Sequence, residues 1–274
     1  MNCIEIYLPT AFFNTLSVGL REKIEPFIHL YHTSVPKADI AFSIGGDGTF
    51  LRTAAEIAHS NIPILGINTG RLGFLADIKF EDLDETLSEI FNNNYRLEER
   101  MLLRTNAVNS SVDGAKISVD FSNYSLNEVA VLKQDTSSML TIHAFIDNEY
   151  LTSYQADGLV VATPTGSTAY SLSIGGPIMV PTAPNIILTA IAPHSLNSRP
   201  LVVDSSSKIR LEIESRSDNY LVSLDGVSQT LSADTVLEIC KADYVQPVVK
   251  RRGHTFFETL RNKLMWGADI RSSR

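Results

Sequence analysis

The run Asp39-Ile40-Ala41-Phe42-Ser43-Ile44-Gly45-Gly46-Asp47-Gly48-Thr49-Phe50-Leu51 decides how the first third of the chain is read. Residues 39–44 suit a buried strand, and Phe50, Leu51, Ala54, Ala55 and Ile57 recur at helical spacing as far as His59. The unit is strand, glycine turn, helix. Glycines at such a turn let a ligand approach the main chain and leave N–H groups at the positive end of a helix, an arrangement suited to phosphate. Gly45-Gly46-Asp47-Gly48-Thr49 is neither G-x-G-x-x-G nor the P-loop pattern ending in Gly-Lys-Ser/Thr, which disfavours the ordinary Rossmann fingerprint and P-loop chemistry alike.

Working outward, Ile4–Leu8 reads as a strand, Phe12–Tyr31 as a helix, Ile62–Ile67 as a further strand and Phe80–Phe91 as an acidic amphipathic helix. Alternation of this kind predicts a Rossmann-like α/β domain with a parallel sheet and ligands at the carboxyl ends of its strands. After Tyr95 the texture changes to short β-like runs at 96–108, 116–121, 126–132, 139–146, 158–162, 186–191, 208–213, 220–224, 236–239 and 245–249, which predict a largely antiparallel domain. The expected fold is α/β plus all-β. Residues 1–99 form the first domain and 100–249 the second, with 250–274 packing back on the first through Phe256, Phe257, Leu260 and Leu264.

The chain has 274 residues, 44% hydrophobic and 20% charged, which excludes disorder and fibre. Its net charge is −8 and no five or six like charges cluster, so long nucleic-acid partners are not expected, and phosphate must be held by local devices. Cys3 and Cys240 are far apart and outside any ligand spacing, giving no disulfide framework and no protein-held metal. The N-terminus lacks a leader pattern and the longest apolar stretches, such as 186–192, fall short of the roughly 18 residues of a membrane span. A cytoplasmic protein without a membrane partner is expected.

Asp47 is the odd member of the glycine turn, because a phosphate would repel a carboxylate unless it served a hydroxyl proton or a metal ion. It reads as a general base for phosphoryl transfer or as a helix N-cap, with equal weight. A second cluster, Ala156 to Tyr170, is a buried strand running into the turn Thr163-Pro164-Thr165-Gly166-Ser167-Thr168-Ala169-Tyr170. Its hydroxyls can bond sugar or phosphate oxygens and Tyr170 can lie against a ring, although a threonine-rich helix cap accounts for the same residues. Asn127-Glu128, at the start of a strand, can read an adenine or hold a ribose, or mark a strand end.

Together, GGDGT (45–49), NE (127–128) and DGLVVATPTGSTAY (157–170) resemble the NAD kinase family in order and approximate spacing. The resemblance extends to residues 68–75, to Gly175-Gly176-Pro177, to residues 192–196 and 199–203, and to Trp266-Gly267. GGDGT alone is shared with diacylglycerol, sphingosine and phosphofructo-kinases; the second cluster with NE is more discriminating. The resemblance implies transfer of the γ-phosphoryl group of ATP to the 2′-hydroxyl of the adenosine ribose of NAD, with a divalent cation, normally Mg²⁺, held mainly through ATP. It makes Asp47 the proton acceptor, Gly45, Gly46, Gly48 and Thr49 the phosphate loop, and Gly48, Asn127, Glu128, Asp157, Thr168, Ala169 and Tyr170 contacts to NAD. Arg52, Phe74, Thr165, Ser171, Ser173 and Ala192 lie nearby in the implied pocket. It also implies a β-sandwich second domain and a homodimer or homotetramer in which a neighbouring subunit completes the site.

One position departs from the pattern: Gln155 stands where the family often has Arg, which shifts phosphate neutralisation toward the metal and Arg52, Arg71 or Lys133. Two other readings compete, a GGDGT kinase acting on a lipid or sugar alcohol and a dinucleotide sensor without catalysis. The first would want an apolar entry that no basic amphipathic segment supplies. The second would have no need of Asp47.

Overall fold

The computed structural model describes residues 4–70, 73–110, 116–118, 123–134 and 138–265. Cys3, Arg71, Leu72, Trp266, Gly267 and the end of the run expected over 116–121 lie outside the described residues. The N-terminal part contains β1 (Ile6–Pro9), α1 (Thr10–Phe13), α2 (Val18–Ile24), β2 (Ile28–Tyr31), β3 (Ala41–Gly45), α3 (Asp47–Glu56), β4 (Ile64–Asn68), β5 (Ile78–Lys79) and α4 (Leu83–Phe91). The helix expected over 12–31 is two short helices and a strand. Pro26, which lacks an N–H, opens a 3₁₀ turn at Glu25–Phe27, after which β2 pairs in parallel with β1 in a separate two-stranded sheet. Strands β3, β4 and β5 are parallel, and every residue of β4 is buried, as suits a strand covered on both faces.

The rest of the chain continues with β6 (Tyr95–Ser110), β7 (Lys116–Ser118), β8 (Tyr124–Ser125), β9 (Glu128–Leu132), β10 (Leu140–Ile146), β11 (Glu149–Ala156) and β12 (Gly158–Ala162). After the short helix α5 (Tyr170–Ser173) come β13 (Asn185–Ile191), β14 (Leu201–Asp204), β15 (Ile209–Glu214), β16 (Asn219–Leu224), β17 (Val227–Ser232), β18 (Thr235–Arg251) and α6 (Phe256–Leu264). One sheet runs β11-β10-β15-β18-β4-β3, with β6 also along β18; a second runs β14-β13-β12-β9-β16-β17. Leu103, Val131, Ile142, Leu159, Val161, Leu211, Tyr220 and Leu237 fill the space between them, so the all-β part is a sandwich with one apolar core.

β18 joins the two halves of the molecule. It lies antiparallel to β6 along most of its length and meets β4 in parallel at Val248 and Ile64, so the α/β sheet and the sandwich share a strand. The two runs expected at 236–239 and 245–249 are this one strand, interrupted by a bulge between Lys241 and Val245. Besides the two-residue β5 and β8, the runs expected from the sequence left out β11, β14 and β17. Each ends a sheet order, where one flank is solvent and the alternation is weakest.

Beside this shared strand sits a buried ionic cluster. Lys250 Nζ lies 2.5 Å from Asp77 Oδ2, with the two side chains only 5% and 6% exposed, and His254 Nδ1 is 3.4 Å from the same oxygen. Burial pushes the Asp77 carboxyl up, but Lys250 and His254 outweigh it and leave it below its ordinary value. Lys250→Met would strand the carboxylate and is expected to cost about 3–5 kcal/mol in urea unfolding at neutral pH. Because Asp77 is depressed in the fold, its contribution is present above the unfolded carboxylate range and is lost as pH falls through the folded value. A loss under about 1 kcal/mol would show that the pair does not hold the segment before β5 against β18.

Candidate active site

The turn between β3 and α3 is built as its glycines require. Gly45 has φ +155°, and a Cβ there would meet Thr49 Oγ1 at 2.4 Å, whereas Gly46 and Gly48 face open space. The first amides of a helix have no partner within it, so those of α3 stand at a wall without side chains. Thr49 accepts a hydrogen bond from Arg52 Nη2 at 3.2 Å, holding that exposed guanidinium over the first turn.

Asp47 is not a helix N-cap. Gly46 occupies that position, and the Asp47 side chain reaches across to the loop after β4. Its Oδ2 accepts from Phe74 N at 2.9 Å and its Oδ1 from Leu75 N at 3.1 Å and Ala76 N at 3.0 Å. Lys263 Nζ, from α6, lies 3.6 Å from Oδ2 and 4.5 Å from the centroid of the Phe74 ring. The charge that a phosphate loop should repel is thus balanced by three amides and an ammonium. The approach is so close that a Cβ on Gly73 would fall 1.8 Å from Asp47 Oδ1.

The second cluster forms around β9 and the turn after β12. Thr163 N donates to Asn127 O at 2.8 Å, Thr163 Oγ1 to Leu126 O at 2.6 Å, and Gly166 N to Thr163 Oγ1 at 3.1 Å. A Cβ on Gly166 would lie 2.1 Å from Asn127 O, so the two segments touch through their main chains. The Glu128 carboxyl accepts the N–H of Tyr170. Burial, together with the neighbouring Asp225, pushes it up to about 7. Asn127 Oδ1, Glu128 Oε2 and Ser171 Oγ are buried and unpartnered among the described residues. Thr165 accepts from Arg100 Nη1 at 3.2 Å, and Thr168 Oγ1 donates to Thr165 O at 3.3 Å. Ser167 is occupied structurally, bonding Pro164 O and accepting from Met179 N.

The two clusters converge. Phe50 of α3, Leu75 beside the Asp47 contacts and Leu126 beside Asn127 belong to one buried apolar cluster. Phe74 and Arg100 line one small cavity with Asp77, Lys250 and Phe256. Gln155, Asp157 and Ala192 group elsewhere, at the start of β12: Asp157 N donates to Ile191 O, its carboxylate pairs with Lys133 Nζ at 2.6 Å, and His194 N donates to Gln155 O. Gln155 and Lys133 line an open cleft of about 600 Å³ with Thr141, Glu214 and Arg216. Ser173, at the end of α5, is exposed. Sequence reasoning passed over Lys263, Gly73, Arg100 and Asp225. Only Gly73 had a signal in the chain, as a glycine within the quoted run 68–75.

A glycine cradle at a helix N-terminus, a carboxylate beside it and a buried hydroxyl-rich turn define a nucleotide-using phosphotransferase. The family model described as ATP-NAD kinase N-terminal domain matches residues 29–95, and that described as ATP-NAD kinase C-terminal domain matches 126–251. The NAD kinase of Bacteroides fragilis is 53% identical over 234 residues, covering 85% of this chain and 78% of its own. That of Flavobacterium johnsoniae is 47% identical over 278 residues, covering 96% and 92%. Among solved structures, yeast NADH kinase complexed with NADH superposes with a TM-score of 0.82 at 26% identity, covering 99% of this chain and 81% of that one. An NAD kinase from Archaeoglobus fulgidus in complex with ATP gives 0.73 at 25% identity, covering 95% and 98%. The chain belongs to the NAD kinase family, whose reaction phosphorylates NAD with ATP to give NADP.

Two variants test this geometry. Gly73→Ala must displace the Asp47 carboxylate, and the weakened charge-assisted bonds are expected to cost about 2–4 kcal/mol of stability, most of it absent when Asp47→Ala is already in place. Fully additive losses would contradict the contact. Glu128 is raised in the fold, so its contribution to stability is full below the unfolded value of about 4.3 and is lost as pH rises through about 7. Glu128→Gln should therefore melt above the wild type at pH 8, with the advantage shrinking toward pH 5; a lower midpoint at pH 8 would refute the buried charge.

Proposed function

We propose that Asp47 Oδ2 accepts the proton of the 2′-hydroxyl of the adenosine ribose of NAD as that oxygen attacks the γ-phosphorus of ATP and ADP leaves. The observation that carries this reading is the lone-pair count. A carboxylate offers about four acceptor positions, and the three amides leave one on Oδ2, beside the N-terminus of α3, where Lys263 Nζ at 3.6 Å stands beyond a hydrogen bond. Oδ1, fully engaged with Leu75 and Ala76, holds the group in place. In this reading the amides around Gly46 and Gly48 cradle phosphate, Gly45 and Thr49 shape the loop, and Arg52 and Lys263 add the positive charge that an acidic chain lacks.

Asn127 and Glu128 hold the dinucleotide ribose through their unpartnered oxygens, and Thr165, Thr168, Ala169, Tyr170, Ser171 and Ser173 line the pocket with Phe74. The yeast relative was solved with NADH and the archaeal one with ATP, the two ligand classes assigned to this cleft. In this proposal a divalent cation, Mg²⁺, is carried by the ATP phosphates. Such a cation, when bound, neutralises charge on the phosphates.

Asp157 lies at the opposite end of β12 from Thr163, about 20 Å away at the rise of an extended strand. Gln155, Asp157 and Ala192 therefore serve the dinucleotide of a neighbouring copy in a homodimer or homotetramer. The α/β part supplies the phosphate loop and Asp47, and the β-rich part, residues 100–249, supplies most of the NAD contacts. No helix among the described residues is long and apolar enough to cross a membrane.

Asp47→Asn keeps a carbonyl oxygen for the Leu75 and Ala76 amides while removing the base. It is expected to lower kcat for NADP formation by about 10²–10⁴ and to leave NAD affinity within about threefold of wild type. Undiminished turnover would refute the general-base role.

A further inference from the structure

The hairpin between β16 and β17 turns on two residues, Asp225 and Gly226, at φ +49° and +88°. Two left-handed residues in a two-residue loop are the geometry in which Asn-Gly and Asp-Gly both excel, so the turn itself would accept either. The Asp225 side chain does something a turn does not need. Its Oδ2 accepts from Leu126 N at 2.6 Å, and its Oδ1 from Asn127 N at 2.8 Å and Glu128 N at 3.0 Å, while its own N–H donates to Glu128 O at 3.2 Å. Both carboxylate oxygens are thus spent on three consecutive amides of the segment that presents Asn127 and Glu128.

From the other side the same segment is held by Thr163 and by the main-chain contact with Gly166. The arrangement sets a second carboxyl beside that of Glu128 in a buried place, and burial pushes the Asp225 carboxyl up. A neutral turn residue would avoid that cost. We propose that Asp225 is a positioning residue for the dinucleotide, gathering the N–H groups of residues 126–128 so that the Asn127 and Glu128 side chains meet the ribose. This rests on the reading above that Asn127 and Glu128 contact NAD.

Asp225→Asn keeps the turn geometry and the side-chain volume but replaces one acceptor oxygen by a donor facing an N–H. The expected result is a KM for NAD raised at least about tenfold with the KM for ATP within about twofold of wild type, a split that general loosening of the fold would not give. In an Asn127→Ala background the same substitution should raise the KM for NAD by a clearly smaller factor than in the wild type, because one of the two groups it positions is gone. Asp225→Ser, which keeps an acceptor without setting an obligate donor against an N–H, should fall between wild type and Asp225→Asn, and the same criteria apply to it alone should Asp225→Asn not fold. A KM for NAD within twofold of wild type, a parallel rise in both KM values, or fully additive effects with Asn127→Ala would overturn the proposal. Absence of NADP formation by the wild-type chain would instead overturn the reading of the site on which it rests.

Discussion

Three hydrogen bonds from Phe74, Leu75 and Ala76 to one carboxylate hold the site of this protein in place. They join the first turn of α3 to the loop after β4, and with Lys263 they answer the electrostatic question that the glycine turn poses. An anion beside a phosphate cradle is tolerable because main-chain dipoles and an ammonium already surround it, and no bound partner is needed to explain its presence. Charge-assisted bonds of this kind fix a side chain in one rotamer, as the proposed role of Asp47 as proton acceptor requires.

The same device appears on both sides of the cleft. Asp47 gathers amides 74–76 and Asp225 gathers amides 126–128; in each case a carboxylate from a turn organises a neighbouring segment that carries candidate contacts. The apolar cluster of Phe50, Leu75 and Leu126 sets the two assemblies against each other, and Arg100 extends the connection to Thr165. β18 then ensures that the halves cannot move apart without breaking a sheet. The acidic composition of the chain is compatible with phosphate chemistry because these local arrangements, rather than the overall field, set the potential at the candidate site.

Much of this was legible in the chain. Gly45 to Thr49 announced a strand-to-helix turn, and the change of texture after Tyr95 announced an antiparallel domain, because glycine placement and apolar periodicity are local properties. What escaped reading was non-local. The helix expected through Tyr31 gave way to β2 because Pro26 interrupts it and a pairing with β1 was available. The edge strands β11, β14 and β17 escaped because a strand with one solvated flank carries little pattern. The partners of Asp47 are 27 to 29 residues away and those of Asp225 about a hundred, and main-chain donors leave no side-chain signature, so neither clamp could be read from residue types. Lys263 looked like an ordinary polar position on an amphipathic helix until α6 was seen beside Phe74.

The most direct measurement is a crystal structure of the protein with NAD bound. The account predicts the ribose 2′-oxygen within about 2.6–3.2 Å of Asp47 Oδ2, with the amides of Leu75 and Ala76 still on Oδ1. A bound dinucleotide whose 2′-hydroxyl lies beyond the reach of Oδ2, with that oxygen committed to Phe74 N and Lys263 alone, would contradict it.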